Sequence, residues 1–309
     1  MTIDTLSRRA VMAGLSTAFL PGAAWAQSAK RDVEGGIGGT GIVGVLTHSE
    51  NLIVSGNRLE TDTLTKFSDG FGQIDRKDLM IGDSLTVEAA GSPDNLVARR
   101  VHVTYPLVGR VSSVSADASR IVVNGIDVAL ETALSDITVG LRVAVSGLWR
   151  GTSVIASRVA PTRSQRDLIS GDVRRSFGAV RLGETDIRGR GVASLAGGSF
   201  ATIIGNYEAA RSRIQATDLV SNRFVGAAGA LGQLSIEGYL EPVATAPGYR
   251  IAGLGHSFAN NLQLAEYEGS RVLFNGPYTG KFAAERALVL PNNPQRRRSL
   301  LAKLSQNAG

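Results

Sequence analysis

Six side chains in this sequence are of a type that could hold a ligand. Trp149, Tyr207 and Tyr278 each fall two residues after a glycine that closes an alternating apolar segment. Arg150, Arg211 and Lys281 lie within four residues of these rings. An aromatic face beside a cation suits an anionic or planar ligand. Two readings of the rings stand: they face a ligand from equivalent turns, or they fold back over the ends of small cores. Catalysis and metal binding find less support. His48, His102 and His256 are far apart, with no ligand spacing around any of them. His102 alternates with Val101 and Val103, which places it on the opposite face of a strand. The absence of cysteine excludes disulfides, thiolate metal sites and cysteine nucleophiles. No G-x-S-x-G elbow occurs. Gly36-Ile37-Gly38-Gly39-Thr40-Gly41 spells the dinucleotide fingerprint, but that motif needs a strand before it and a helix after it. Strand-like Ile42–Leu46 follows instead, so residues 27–41 read as a flexible glycine-rich leader. No catalytic residue, metal site or cofactor is expected, and the chain does not read as an enzyme.

The elements that position the six residues show themselves as a repeat. Gly82-Asp83-Ser84-Leu85-Thr86-Val87 opens an alternating strand. The same form returns from Gly140 to Gly147, from Gly198 to Gly205 and from Gly269 to Gly276. A second strand keeps step behind each: Val97–Val101, Ile155–Val159, Gln215–Leu219 and Ala283–Ala287. Opening strands begin near Gly44, Gly109, Gly171 and Gly238. Between them, Asn124-Gly125 joins Ile121-Val122-Val123 to Ile126-Asp127-Val128, and this dipeptide suits a type I′ turn with φ > 0 at both positions. Ser55-Gly56-Asn57 takes that place in the first copy. The fold class is therefore all-β: about four tandem five-stranded barrels of OB-like or SH3-like size, at 42–105, 106–161, 167–220 (degenerate) and 224–291. Thr162–Arg166 and Ser221–Arg223 read as short linkers.

Bulk composition agrees with this. With 43% hydrophobic and 19% charged residues the 309-residue chain is globular, and 37 glycines with 6% aromatics suit many short strands. The net charge of +6 favours an anionic surface or partner. Residues 1–26 read as a cleaved export signal: Arg8 and Arg9, then apolar Ala10–Leu20, then Ala24-Trp25-Ala26 before Gln27. The paired arginines and modest hydrophobicity fit the twin-arginine route, with Sec export as the alternative. The apolar stretch is about half of the ~20 residues that span a bilayer. The mature chain is thus expected in the periplasm, soluble and without a transmembrane helix. Arg296-Arg297-Arg298 with Leu300, Leu301 and Leu304 forms a basic tail over 292–309. It reads as a frayed terminus, or as a short helix meeting an anionic surface.

The combination of opening strand, V-N-G hairpin, apolar-V-G-x-x-V strand and A-x-R-V strand resembles a bacterial family known as domain of unknown function 5666. Val108–Pro161 matches best, and the likeness covers most of residues 38–291. It implies OB-like barrels in envelope proteins and no chemistry. The expected function is a non-enzymatic periplasmic binding or assembly module whose partner is an unknown envelope protein or anionic surface. A binder of an anionic polymer, oligonucleotide or envelope glycan, is the alternative. Nucleic acid is disfavoured because strands such as Thr86–Val87 and Ala144–Val145 lack interleaved aromatics and cations. An enzyme with an unrecognised site is the second alternative.

Overall fold

Strict alternation of apolar and polar residues buries one strand face, and the chain folds as that period requires. The computed structural model describes residues 38–134, 136–176, 178–243, 248–252 and 262–306; Arg8, Arg9, Ala24, Ala26 and His256 lie outside the described residues. The first unit contains β1 (Gly39–His48), β2 (Ile53–Val54), β3 (Asn57–Asp69), a two-residue β4 (Gly72–Gln73), β5 (Ser84–Ser92) and β6 (Asn95–Val103). Pairings β1–β2, β2–β3, β3–β6, β6–β5 and β5–β1 close it into a five-stranded barrel. Ile42, Leu46, Leu85, Val87, Val101 and Val103 fill its core.

The second unit follows the same path. It consists of β7 (Leu107–Val114), β8 (Arg120–Val123), β9 (Ile126–Leu130), β10 (Arg142–Arg150) and β11 (Ser153–Pro161). Pairings β7–β8, β8–β9, β9–β11, β11–β10 and β10–β7 close the ring. Asn124 and Gly125 take φ of 51° and 76°, as the two-residue turn between β8 and β9 demands. Gly147 lies at a bulge in β10 where an added Cβ would meet the Ile155 carbonyl oxygen at 2.3 Å. A closing glycine is needed there because the partner backbone passes too close for a side chain.

The third unit has β12 (Asp167–Asp172), β13 (Arg174–Ser176), β14 (Ala179–Leu182), β15 (Thr185–Arg188), β16 (Phe200–Glu208) and β17 (Arg213–Val220). Its strands run in the order β12-β16-β17-β15-β14-β13, and buried Val173 alone separates β12 from β13. The fourth unit has β18 (Leu231–Pro242), β19 (Tyr249–Ile251), β20 (Arg271–Pro277) and β21 (Arg286–Val289). Among the described residues its sheet is open, in the order β19-β18-β20-β21. The fold is thus all-β with two closed five-stranded barrels, where the sequence suggested a uniform series.

The units share sheets. β1 pairs with β18 in parallel, and β7 pairs with β12 antiparallel through Val108↔Leu168 and Leu107↔Ile169. One apolar core runs from Leu107, Ile126 and Trp149 of the second barrel to Ile169, Leu182 and Ile203 of the third unit. Two sequence expectations need correction. Gly39-Thr40-Gly41 is not leader but the start of β1, and a Cβ on Gly41 would meet Leu234 and Phe224 below 3 Å. These glycines serve close strand packing.

The tail is corrected likewise: it is a helix and not a frayed end. Pro294–Gln306 forms α1, whose Leu301 is fully buried with Leu273 and Leu290 while Leu300 and Leu304 pack alongside. Arg297 is buried too, and it donates to Glu131. Glu131 also accepts from fully buried Arg271, whose Nε reaches Glu237 Oε1 at 2.7 Å. The alternating acid–base chain Glu237, Arg271, Glu131, Arg297 thereby ties the fourth unit and α1 to the second barrel. Removing one member would strand a buried charge.

Candidate binding site

The six residues singled out by type do not converge. Trp149 is 6% exposed, and its indole N–H donates to the Ser170 carbonyl at 2.7 Å. Its ring lies in the shared core, over Gly171 and Gly183, where an added Cβ would meet it at 2.9 Å. Of the two readings, Trp149 follows the core one, with a difference: it closes its own barrel against the neighbouring unit. Tyr207 is half-buried, its hydroxyl against Gly125 of the second barrel, and its amide donates to Asp167 Oδ2 at 2.7 Å. Tyr278 packs on the fourth unit's core and bridges to Phe282. The exposed Arg150 stacks over Tyr239 at 5.6 Å. Arg211, also exposed, pairs with Glu208 at 3.2 Å, and Lys281 is exposed. These residues form seams and rims and do not build a common site.

A concave site does form where two sheet surfaces meet. Val101 and Val103 of β6 point into the first barrel, so Arg100 and His102 face outward. Opposite them stand Phe200 and Thr202 of β16, with Asn222 and Arg223 from the connection after β17. Together they line a cleft of about 140 Å³. The Arg223 guanidinium lies 4.0 Å over the centre of the Phe200 ring, and Nη1 donates to Thr86 Oγ1 at 3.0 Å. Arg100 donates to the Arg223 carbonyl at 3.2 Å. His102 Nδ1 shares a 2.9 Å hydrogen bond with Ser68 Oγ.

The nearby acids are held by backbone donors. Glu88, fully buried, accepts from the amides of Val225 and Ala227 at 2.8 and 2.7 Å, while Arg100 approaches it only to 3.5 Å. Asp69, on the lip, accepts from the amides of Phe71 and Gly72 at 2.8 and 3.0 Å. Burial, reinforced by the charges of Arg100 and Arg223, pushes His102 down to about 3. Burial lowers Arg223 to about 9 against the pull of Asp172, with Arg100 adding to the fall. Near neutral pH the cleft therefore contains two guanidinium cations and an uncharged imidazole. In the sequence alone His102 stands solitary and Ser221–Arg223 reads as a linker. The available signal was Arg100 and His102 two residues apart on one outward face.

Among the described residues no group of three or more His, Asp and Glu side chains could hold a metal ion. Nor is any described helix long and apolar enough to cross a membrane.

Barrels, shared sheets and seam together define a tandem β-barrel protein. The family model described as a domain of unknown function (DUF5666) matches residues 40–102 and 108–160, so the chain contains two tandem copies of this domain, coincident with the two closed barrels. No curated protein and no solved structure matches the chain.

Proposed function

We propose that this chain is an exported, non-enzymatic binding module of the periplasm. In this reading four copies of one barrel repeat are packed as a block that offers the seam cleft to a ligand. Four copies are supported by strand pairing: β12–β16 and β18–β20 correspond to β1–β5 and β7–β10, each an opening strand against an anchor strand. Export is supported by Arg8 and Arg9 and by Ala24 and Ala26 before Gln27.

The observation that carries the binding reading is the cleft with His102 in it. A histidine that stays neutral down to about pH 3 holds no proton to exchange near neutrality, so it serves as a fixed polar wall and not as an acid–base group. The test is native mass spectrometry of protein recovered from the periplasm. A non-covalent adduct released on denaturation and lost on Asn222→Asp supports the module. Adduct-free protein that turns over esters, glycosides or phosphoesters would make it an enzyme. An N-terminus at Gln27, with precursor retained after Arg8→Lys and Arg9→Lys together, supports the twin-arginine route.

The rival reading, an anionic-polymer binder, draws on the net charge of +6. It requires affinity for an oligonucleotide or glycan that falls steeply with salt.

A further inference from the structure

Cavities of about 300–1,000 Å³ house drug-sized ligands, and the seam cleft at about 140 Å³ is well below that range. That volume has room for several waters, or for one tetrahedral or planar oxyanion with a small substituent. Its wall chemistry is matched to such a group. Guanidinium is the side chain whose planar fork complements phosphate and carboxylate geometry. The cation–π contact with Phe200 helps hold the Arg223 guanidinium in place. When Ser68 donates to His102 Nδ1, the remaining imidazole nitrogen carries a hydrogen and is itself a donor. Asn222, exposed at the rim, supplies an amide, and Thr202 a hydroxyl. Phe200, Ile204 and Val220 give an apolar side to the same space. The acids facing it, Asp69 and Glu88, are engaged by two backbone amides each, and Asp172 pairs with Arg250 at 3.4 Å.

We propose that the cleft between the first barrel and the third unit binds a compact oxyanion, a phosphate, sulfate or carboxylate group, between Arg100 and Arg223 with His102 and Asn222 completing the wall. This inference rests on the cleft being the module's binding site. The anion arrives either free or as the terminal group of a larger molecule whose body remains outside.

The experiment is isothermal titration of the purified full chain with sodium sulfate, inorganic phosphate and phenyl phosphate, each against chloride at constant ionic strength. One site is expected, weakened about tenfold or more by Arg223→Met, a loss near 1.4 kcal/mol. Asn222→Asp, at an exposed position that leaves the fold intact, should weaken it comparably by setting a carboxylate at the mouth. Tighter binding of phenyl phosphate than of inorganic phosphate marks a terminal group on a larger ligand; the reverse marks the free ion. Sulfate affinity should be level from pH 5 to 8, because the cations persist and His102 is neutral throughout. Asp69, Glu88, Asp172 and Arg250 are the other charges facing these groups. A loss of affinity from pH 6 to 7 would overturn the proposal, and so would equal binding by wild type and both variants. No heat with any anion, alongside a periplasmic adduct lost on Asn222→Asp, sinks the oxyanion and leaves the binding module standing. No heat and no adduct removes both.

Discussion

The indole N–H of Trp149, next to last in β10 of the second barrel, donates across the seam to the carbonyl oxygen of Ser170, 2.7 Å away on β12. A residue that closes one barrel is thus completed by its neighbour. Trp149→Ala should cost roughly 3–5 kcal/mol, as for other buried large aromatics. Trp149→Phe should lose less, since packing survives and only a hydrogen bond worth about 1 kcal/mol goes. Urea denaturation separates the two. In a chain cut to begin at Gln27 Trp149 is the sole tryptophan, so its fluorescence should resist iodide quenching until the protein unfolds.

The same seam predicts that the barrels are not independent. A unit of about 60 residues buries only ~60% of its unfolded surface and is marginal without staples. Here the second barrel also lends core to the third unit and pairs with it along β7–β12. Residues 107–161 alone should show a lower denaturation midpoint and a lower slope than the same barrel within 107–220. Matching midpoints and slopes would mean independent beads.

Arg271→Met should destabilise by about 3–5 kcal/mol, because Glu237 and Glu131 would each face a buried loss of charge balance. Adding Glu237→Gln should recover part of that loss. A double-mutant cycle by urea titration measures the coupling, and additive losses would show that the pair is not coupled.

Acid should weaken the fold in two stages. The folded pKa of His102 lies at about 3, below the ordinary value of 6.5, so the native state favours the neutral ring. Its contribution is full above pH 6.5 and is lost as pH falls toward 3, at about 1.4 kcal/mol per pH unit. The carboxylates with lowered pKa, Asp117 at about 2 and also Asp62 and Glu208, lose their contributions only as pH falls below about 4. His102→Asn should therefore flatten stability between pH 6.5 and 4.5 and leave the steeper fall below pH 4. An unchanged profile in that upper window would assign the loss to other groups.

Much of the fold was legible because a strand's period of two and a turn's φ requirement are local facts. Asn124-Gly125 announced its hairpin, and Gly147 marked the point where two backbones come too close for a Cβ. The aromatics illustrate the limit. Sequence register located Trp149 at the barrel end but carried no information about which surface the ring meets there, since that surface, Ser170 and Gly171, belongs to the next unit. The cleft was hidden for the same reason. Arg100 and His102 read as outward-facing residues of one strand, and Arg223 as part of a linker. Only the packing of two units brings them together. The tail misled in a third way: three leucines and three arginines predict an amphipathic helix but not its partner, and half-buried Glu131 with buried Leu273 turned out to be that partner.

The parallel pairing of β1 with β18 also bears on how the chain is made. Val45 at the start of the first barrel donates to Glu237, 192 residues later. During synthesis the outer edge of β1 is therefore complete long before the strand that covers it has left the ribosome. Contacts of such sequence separation slow folding, and an uncovered strand edge invites pairing with a neighbouring chain. The block reaches its final form only when its last unit returns to its first. A nascent chain halted before β18 carries an unsealed edge, and finishing the chain is what seals it.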